Sequence, residues 1–234
     1  MISVVIPAYN EEHSIADCLK SLTNQVYKGS IEIIVVDNTS TDKTSEVAGK
    51  FPTKIMPEGR KGVTFARQAG FAAAKGEIIA STDADTILPR NWLKEIDSAF
   101  SKDAKLVGLG GPVLPKKGTK FEWFLSKSAM IGLYLTSHFK FGFFIGSNFA
   151  VRKAAFEKIG GFDLKKISGE DVDLCVRLSK VGKVKFLFNV RAYASMRRLR
   201  NYGILRFTKH HAINWARLHI TKKPPLPFSD IRRE

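Results

Sequence analysis

At 234 residues and 44% hydrophobic content, the chain is long enough to bury one sizeable core and too apolar for a disordered polypeptide. Its formal net charge is +16, and half of that excess, +8, falls in residues 197–234, which predicts a surface for something anionic: a membrane, a nucleic acid or a phosphate-bearing substrate. Cys18 and Cys175 lack metal-like spacing, the N-terminus MISVVIPAYN has no signal-peptide pattern, and no run of about 18 uncharged apolar residues predicts a membrane span, so the expected location is cytoplasmic.

The first half alternates strand and helix signals. ISVVI (2–6) reads as a strand stopped by Pro7, and Asn10 as the cap of a helix burying Ile15, Cys18, Leu19 and Leu22. IEIIVV (31–36) has the continuous β-branched character of a strand covered on both faces. A helix through about Lys50 follows DNTSTD, then a short strand at Lys54–Met56, an Ala-rich helix over 62–75 and the strand EIIAS. Pro89 fits the first turn of a helix ending near Phe100. This order predicts a mostly parallel, doubly wound α/β sheet. Further on, KLVGLGGPV (105–113) reads as one strand. The apolar segment 121–144 reads as core, as a helix over a cleft, or as an amphipathic surface helix, because its charges interrupt any span. A strand and short helix ending at Gly160-Gly161, a helix over 168–182, a last strand VKFLFNV and a helix from Asn201 to Ile220 complete the pattern.

In open parallel sheets, ligands bind beyond the carboxyl ends of strands. Three polar clusters fall there: Pro7 to Glu11, Asp37-Asn38 and Asp83-Ala84-Asp85. Two aspartates at i and i+2 after a buried strand repel each other unless a cation lies between them. They suit a hard divalent ion, Mn²⁺ or Mg²⁺, shared with ligand phosphates, or else a helix cap before Pro89. GLGGP (108–112) lacks the spacing of a dinucleotide loop.

SVVIPAYNEE, IIVVDNTSTDKT, ARQAGFAAAKGEII, TDAD, GSNFAVRKAAFEKIGGFD and GEDVDLCVRLSKVG stand in the order seen in family 2 glycosyltransferases of the GT-A fold, and the resemblance covers about residues 1–196. It implies an inverting, metal-dependent transferase that moves a sugar from a nucleotide diphosphate sugar to the hydroxyl or phosphate of a glycan or of a lipid-linked or membrane-displayed acceptor. Residues 1–113 would form the nucleotide-sugar half, 114–196 the acceptor half and 197–234 a basic extension. By the same resemblance, Pro7, Ala8, Tyr9, Glu11 and Asp37 would hold the nucleobase. Arg67 would shape the nucleotide site, Asp83 and Ala84 would lie near the ribose, and Asp85 would bind the metal, with Asp83 a second candidate ligand. Asp171 matches the catalytic base, with Glu170, orienting the acceptor or Asp171, and Asn148 on the acceptor side; a helix N-terminus and a plain strand entry are the structural alternatives there.

Two departures from the family pattern stand out. Asn38 occupies a position where many members have a second Asp, which bears on base discrimination. Ala194 and Ser195 lie where many have a metal-binding His, so His210, His211 or water would supply the third ligand. On a helix, Ile204, Thr208, His211, Trp215 and Leu218 would form an apolar stripe away from Arg206, Lys209 and Arg217, an arrangement suited to peripheral contact with the cytoplasmic face of an anionic membrane. The competing classes are a nucleic-acid-binding protein, which the absence of interleaved aromatic and basic residues disfavours, and a non-catalytic sugar-nucleotide or membrane-binding module.

Overall fold

The structure, a computed structural model, describes residues 1–138, 142–166 and 168–203, and positions 206, 209, 210, 213, 214, 217, 221 and 226. In chain order the elements are β1 (Ile2–Ala8), α1 (Ile15–Thr23), β2 (Ile31–Asp37), α2 (Thr44–Ala48), β3 (Lys54–Pro57), α3 (Val63–Ala73), β4 (Ile78–Ser81), α4 (Trp92–Lys102) and β5 (Leu106–Gly110). They continue with β6 (Val113–Pro115), α5 (Lys120–Ser137), β7 (Phe149–Arg152), α6 (Lys153–Lys158), α7 (Glu170–Leu178), β8 (Lys183–Phe186), β9 (Ala192–Ala194) and α8 (Arg197–Tyr202).

Seven strands form one sheet in the order β3-β2-β1-β4-β7-β5-β8, parallel except for β7, which runs antiparallel to both neighbours. The period of two along each strand divides its side chains between two cores. Val4, Ile6, Ile33 and Val35 face the helices α1 and α4, whereas Val5, Ile34 and Val36 face α3, α6 and α7. A sheet covered on both faces is why β2 reads as an unbroken apolar run. Ile15, Cys18, Leu19 and Leu22 are all buried, as the helical spacing predicts. None of the described helices is long and apolar enough to cross a membrane.

Four local expectations change. β1 runs through Pro7, which pairs in register with Val36, so proline does not end the strand. Asn10 does not cap a helix: it adopts φ 52°, its side-chain oxygen accepts from the Thr41 amide at 2.8 Å, and α1 begins only at Ile15 after the cap Ser14. The predicted strand 105–113 splits at Gly111-Pro112, where a Cβ on Gly111 would collide with the Val190 carbonyl. β6 leaves the main sheet there and pairs with β9. A short helix not expected from the sequence, α8, covers Arg197–Tyr202 and stops at Gly203; inside the predicted 201–220 helix, the described residues 206, 209, 210, 213, 214 and 217 are helical. Ile204, Thr208, His211, Trp215 and Leu218 lie outside the described residues, and with them the predicted stripe.

Candidate active site

The parallel register sets Ala8 opposite Asp37 and Val5 opposite Ser81, so β1, β2 and β4 end on the same edge of the sheet. The three polar clusters predicted to converge therefore do so. At the end of β2, the Asp37 carboxylate accepts from the Ser40 amide at 2.9 Å and from the Ser45 hydroxyl. Tyr9 lies half-buried, with the Lys61 ammonium 5.9 Å from its ring centroid.

Asn38 has a stronger structural reason than base choice. It is buried, its amide donates to the Glu58 and Arg60 carbonyls at 2.8 Å each, and its oxygen accepts from the Gly62 amide at 2.8 Å. Only a side chain carrying both donors and an acceptor closes this loop. Asn38→Asp should therefore lower stability by about 1–3 kcal/mol, because two carbonyls lose their donor and face a carboxylate. A lowered urea midpoint at neutral pH would show it, with the difference shrinking in acid as the new carboxyl is protonated.

Arg67 joins the two halves of the chain. On α3 it shares one helical face with Thr64 and Gln68, at spacings of three and four residues. All three reach the second half: the Thr64 hydroxyl donates to the Lys166 carbonyl at 2.7 Å, and the Gln68 oxygen accepts from the Phe162 amide at 2.9 Å. The Arg67 guanidinium donates to Asp83 at 2.7 Å and, through its other terminal nitrogen, to buried Glu170. Gly146 is required for this fit, since a Cβ there would occupy the space of the guanidinium.

Asp171 follows Glu170 in the first turn of α7, which starts from Gly169 in the left-handed region at φ 68°. Part of its surface remains open to solvent. Burial of its carboxyl, then the adjacent Glu170 charge, pushes its pKa up to about 7, against the opposing pull of Arg67 and of the Val172 and Gly146 amides. A carboxyl that titrates near neutrality at a partly open edge has the properties of a general base.

Asp83 and Asp85 extend from the end of β4 with Ala84 buried between them. Arg197, the first residue of α8, donates to Glu11 at 2.6 Å, and its guanidinium lies 3.9 Å from Asp85. Glu11 is buried, and among the described residues its second oxygen has no hydrogen-bond partner; nor do the buried hydroxyls of Thr82 and Thr86 on either side of the aspartates. Cys18 backs this edge, its thiol pushed well up by burial and by the charges of Asp85 and Asp83, so it is inert. Sequence reasoning places Arg197 in a separate extension and misses its reach across 186 positions to Glu11.

Two other expected residues sit differently. Asn148 has no exposed surface; it accepts from the Trp92 indole at 2.9 Å and donates to the Pro112 and Val190 carbonyls at 3.1 and 2.8 Å. It braces the junction of the two sheets and offers nothing to an acceptor. His210 lies with its Nε2 2.9 Å from the Asn214 amide, and His211 is outside the described residues.

Residues 3–160 match glycosyl transferase family 2. The chain is 30% identical over 198 residues to the probable glycosyltransferase YdaM of Bacillus subtilis, covering 77% of this chain and 47% of that protein. It is 28% identical over 225 residues to the dolichol-phosphate mannosyltransferase of Pyrococcus furiosus, covering 89% and 62%. Among solved structures, it superposes on the Pyrobaculum calidifontis mannosyltransferase PcManGT, in complex with GDP-Man and Mn²⁺, with a TM-score of 0.74 at 20% identity, covering 97% of this chain and 65% of that one. The chain thus spans about half to two-thirds of the length of these relatives.

Proposed function

The chain belongs to glycosyltransferase family 2 and has the GT-A fold, and from that premise we propose that it moves a sugar from a nucleotide diphosphate sugar to an acceptor with inversion, Asp171 acting as the base. The observation that carries this reading is the Arg67 bridge, which holds Asp83 on the nucleotide edge and the Glu170-Asp171 pair in one construction. Inversion needs a single in-line displacement. The acceptor oxygen attacks the anomeric carbon, its proton passes to the Asp171 carboxylate, and the bond to the diphosphate breaks on the opposite side. Glu170 keeps the Asp171 carboxyl basic by its charge, and Arg67 holds Glu170 in place by an ion pair. A base that titrates near neutrality suits a hydroxyl acceptor, because a phosphate acceptor is already ionised. That hydroxyl would belong to a glycan, free or carried on a lipid.

Pro7 to Glu11 and Asp37 line the end of the sheet where the nucleotide would lie, with Asp83 and Ala84 beneath the ribose. The donors at this edge fit Mn²⁺ or Mg²⁺. Asp85 and Asp83 offer hard oxygen ligands, and Glu11, Thr82 and Thr86 leave buried oxygens with no partner among the described residues. Among the described residues no group of three or more His, Cys, Asp or Glu side chains could hold a metal by itself, so ligand phosphates and water would have to complete the coordination. Bound there, the ion would stabilise the leaving diphosphate. Arg197 stands beside Asp85 as a further cation for the same charge.

A thermal-shift panel of nucleotide diphosphates and nucleotide sugars, with and without Mn²⁺, tests the reading, because a ligand that binds only the folded state raises the melting temperature. One nucleotide sugar should do so in a metal-dependent way. Asp85→Ala should keep the melting temperature of the unliganded chain and lose the metal-dependent increment. Retained Mn²⁺-stimulated transfer in Asp85→Ala would remove the residue from the metal site.

A further inference from the structure

The longest of the described helices, α5, is apolar on two opposite faces. One face packs inward. Met130, Leu133 and Tyr134 lie against the core, the Trp123 ring sits tilted against Tyr193 with centroids 6.4 Å apart, and the Met130 sulfur accepts from the Val113 amide at 3.4 Å. The other face carries Phe121, Phe124, Ser128, Ile131 and Leu135, at the three- and four-residue spacing of a single stripe. Nothing in the chain's described residues covers it: Phe121, Phe124, Ile131 and Leu135 are 57%, 68%, 53% and 56% exposed. A contiguous apolar stripe left in water marks a docking surface.

The charges around the stripe select the partner. Glu122 is the helix's one acidic residue, and it is buried, held by Arg200 at 2.9 Å and by the Thr119 cap. Exposed Lys120 and Lys127 flank the stripe on α5, the Lys127 ammonium 5.7 Å from the Trp123 ring centroid, and exposed Lys117 precedes the helix; α5 has no exposed carboxylate to offset them. An outward apolar face edged by lysines matches the boundary between acyl chains and anionic headgroups. We propose that the outer face of α5 seats this protein on an anionic lipid membrane, with Phe121, Phe124, Ile131 and Leu135 inserted to acyl depth and Lys117, Lys120 and Lys127 among the headgroups.

The seat is wired to the candidate active site. Arg200 grips Glu122 and the Lys117 carbonyl at the start of α5, and three residues earlier on the same helix Arg197 grips Glu11. One helical turn thus links the lipid-facing helix to the nucleotide edge. An acceptor displayed at the membrane surface would be gathered by the same contact; that consequence rests on the glycosyltransferase reading, whereas lipid binding itself does not.

The test is co-sedimentation of the full chain with phosphatidylglycerol/phosphatidylcholine vesicles at low salt, with phosphatidylcholine vesicles as the control. The chain should sediment with the anionic vesicles and be released as salt rises. Phe124→Asn/Ile131→Asn/Leu135→Asn should weaken partitioning by about tenfold or more, with an unchanged melting temperature because the three side chains face outward. Lys117→Gln/Lys120→Gln/Lys127→Gln should weaken it as well. In Phe124→Trp, the new indole should be quenched by lipid brominated on its acyl chains. Equal binding by the Asn variant would place the membrane contact elsewhere and overturn the proposal. So would absence of binding to anionic vesicles. A dimer that the Asn variant converts to a monomer, without lipid binding, would give the face to a second copy. None of these outcomes depends on catalysis, so a failed seat leaves the glycosyltransferase reading standing, and failure of the nucleotide-sugar panel leaves the lipid result readable.

Discussion

Asp171→Asn is expected to lower transfer by about 10²- to 10⁴-fold, the range that general base catalysis contributes, while the affinity for nucleotide sugar changes little. The substitution keeps the side chain's shape and its hydrogen bond from the Val172 amide at 2.8 Å, and removes only the basicity. The parent enzyme should show transfer rising with pH through about 7, as the raised pKa of Asp171 requires, and the variant should lose that limb. Stability supplies an independent reading. A carboxyl whose folded pKa lies above its unfolded value stabilises the fold fully below the unfolded value, and that contribution is lost as pH rises through the folded one. Asp171→Asn should accordingly melt above the parent at pH 8, and the difference should fade as pH drops through 7 toward 4. A loss confined to donor affinity, with kcat intact, would move Asp171 to the nucleotide side.

What could be read from residue order and what could not divide along a physical line. The sheet was legible because β-branched runs such as 31–36 need cover on both faces, and because parallel order fixes which strand ends meet. The convergence of Glu11, Asp37, Asp83 and Asp85 followed from that alone. Partner choice over long separations was not legible. Nothing local in AYASMRR says that Arg197 turns back to Glu11, or that Asn148 spends its whole amide on Trp92, Pro112 and Val190. Asn38 illustrates the same limit: its place in the family pattern pointed to base discrimination, and its hydrogen bonds show a loop closure. In α5, hydrophobic periodicity predicted neither face uniquely because both faces are apolar, and only the packing of Met130, Leu133 and Tyr134 tells which one is turned in. The backbone departures at Asn10 and Gly111 have the same origin, each set by contacts with residues far along the chain, Thr41 and Val190.

Arg67→Met should damage the fold more than Asn38→Asp does. The Arg67 side chain is 4% exposed, and its removal leaves Glu170, 5% exposed, as a buried carboxylate without its ion-pair partner. Breaking a buried pair from one side costs about 3–5 kcal/mol, a large share of the stability of a domain this size. Methionine fills much of the volume, so the loss reports the unpaired charge more than a cavity. Removing the guanidinium also removes the attraction that holds the Asp171 pKa down, so whatever activity remains should need higher pH than the parent. Arg67→Lys separates the two effects. Lysine keeps the charge as a single point and cannot fork between Asp83 and Glu170 as the two guanidinium nitrogens do. Its melting temperature should fall between parent and Met variant, with the acid limb of transfer closer to the parent's. Urea denaturation read beside pH profiles of transfer decides the matter. If Arg67→Met keeps both its urea midpoint and its pH profile, the bridge neither holds the two halves together nor sets the basicity of Asp171. If the midpoint falls and the profile stays, Arg67 is a structural clamp alone, and the base draws its properties from burial and Glu170.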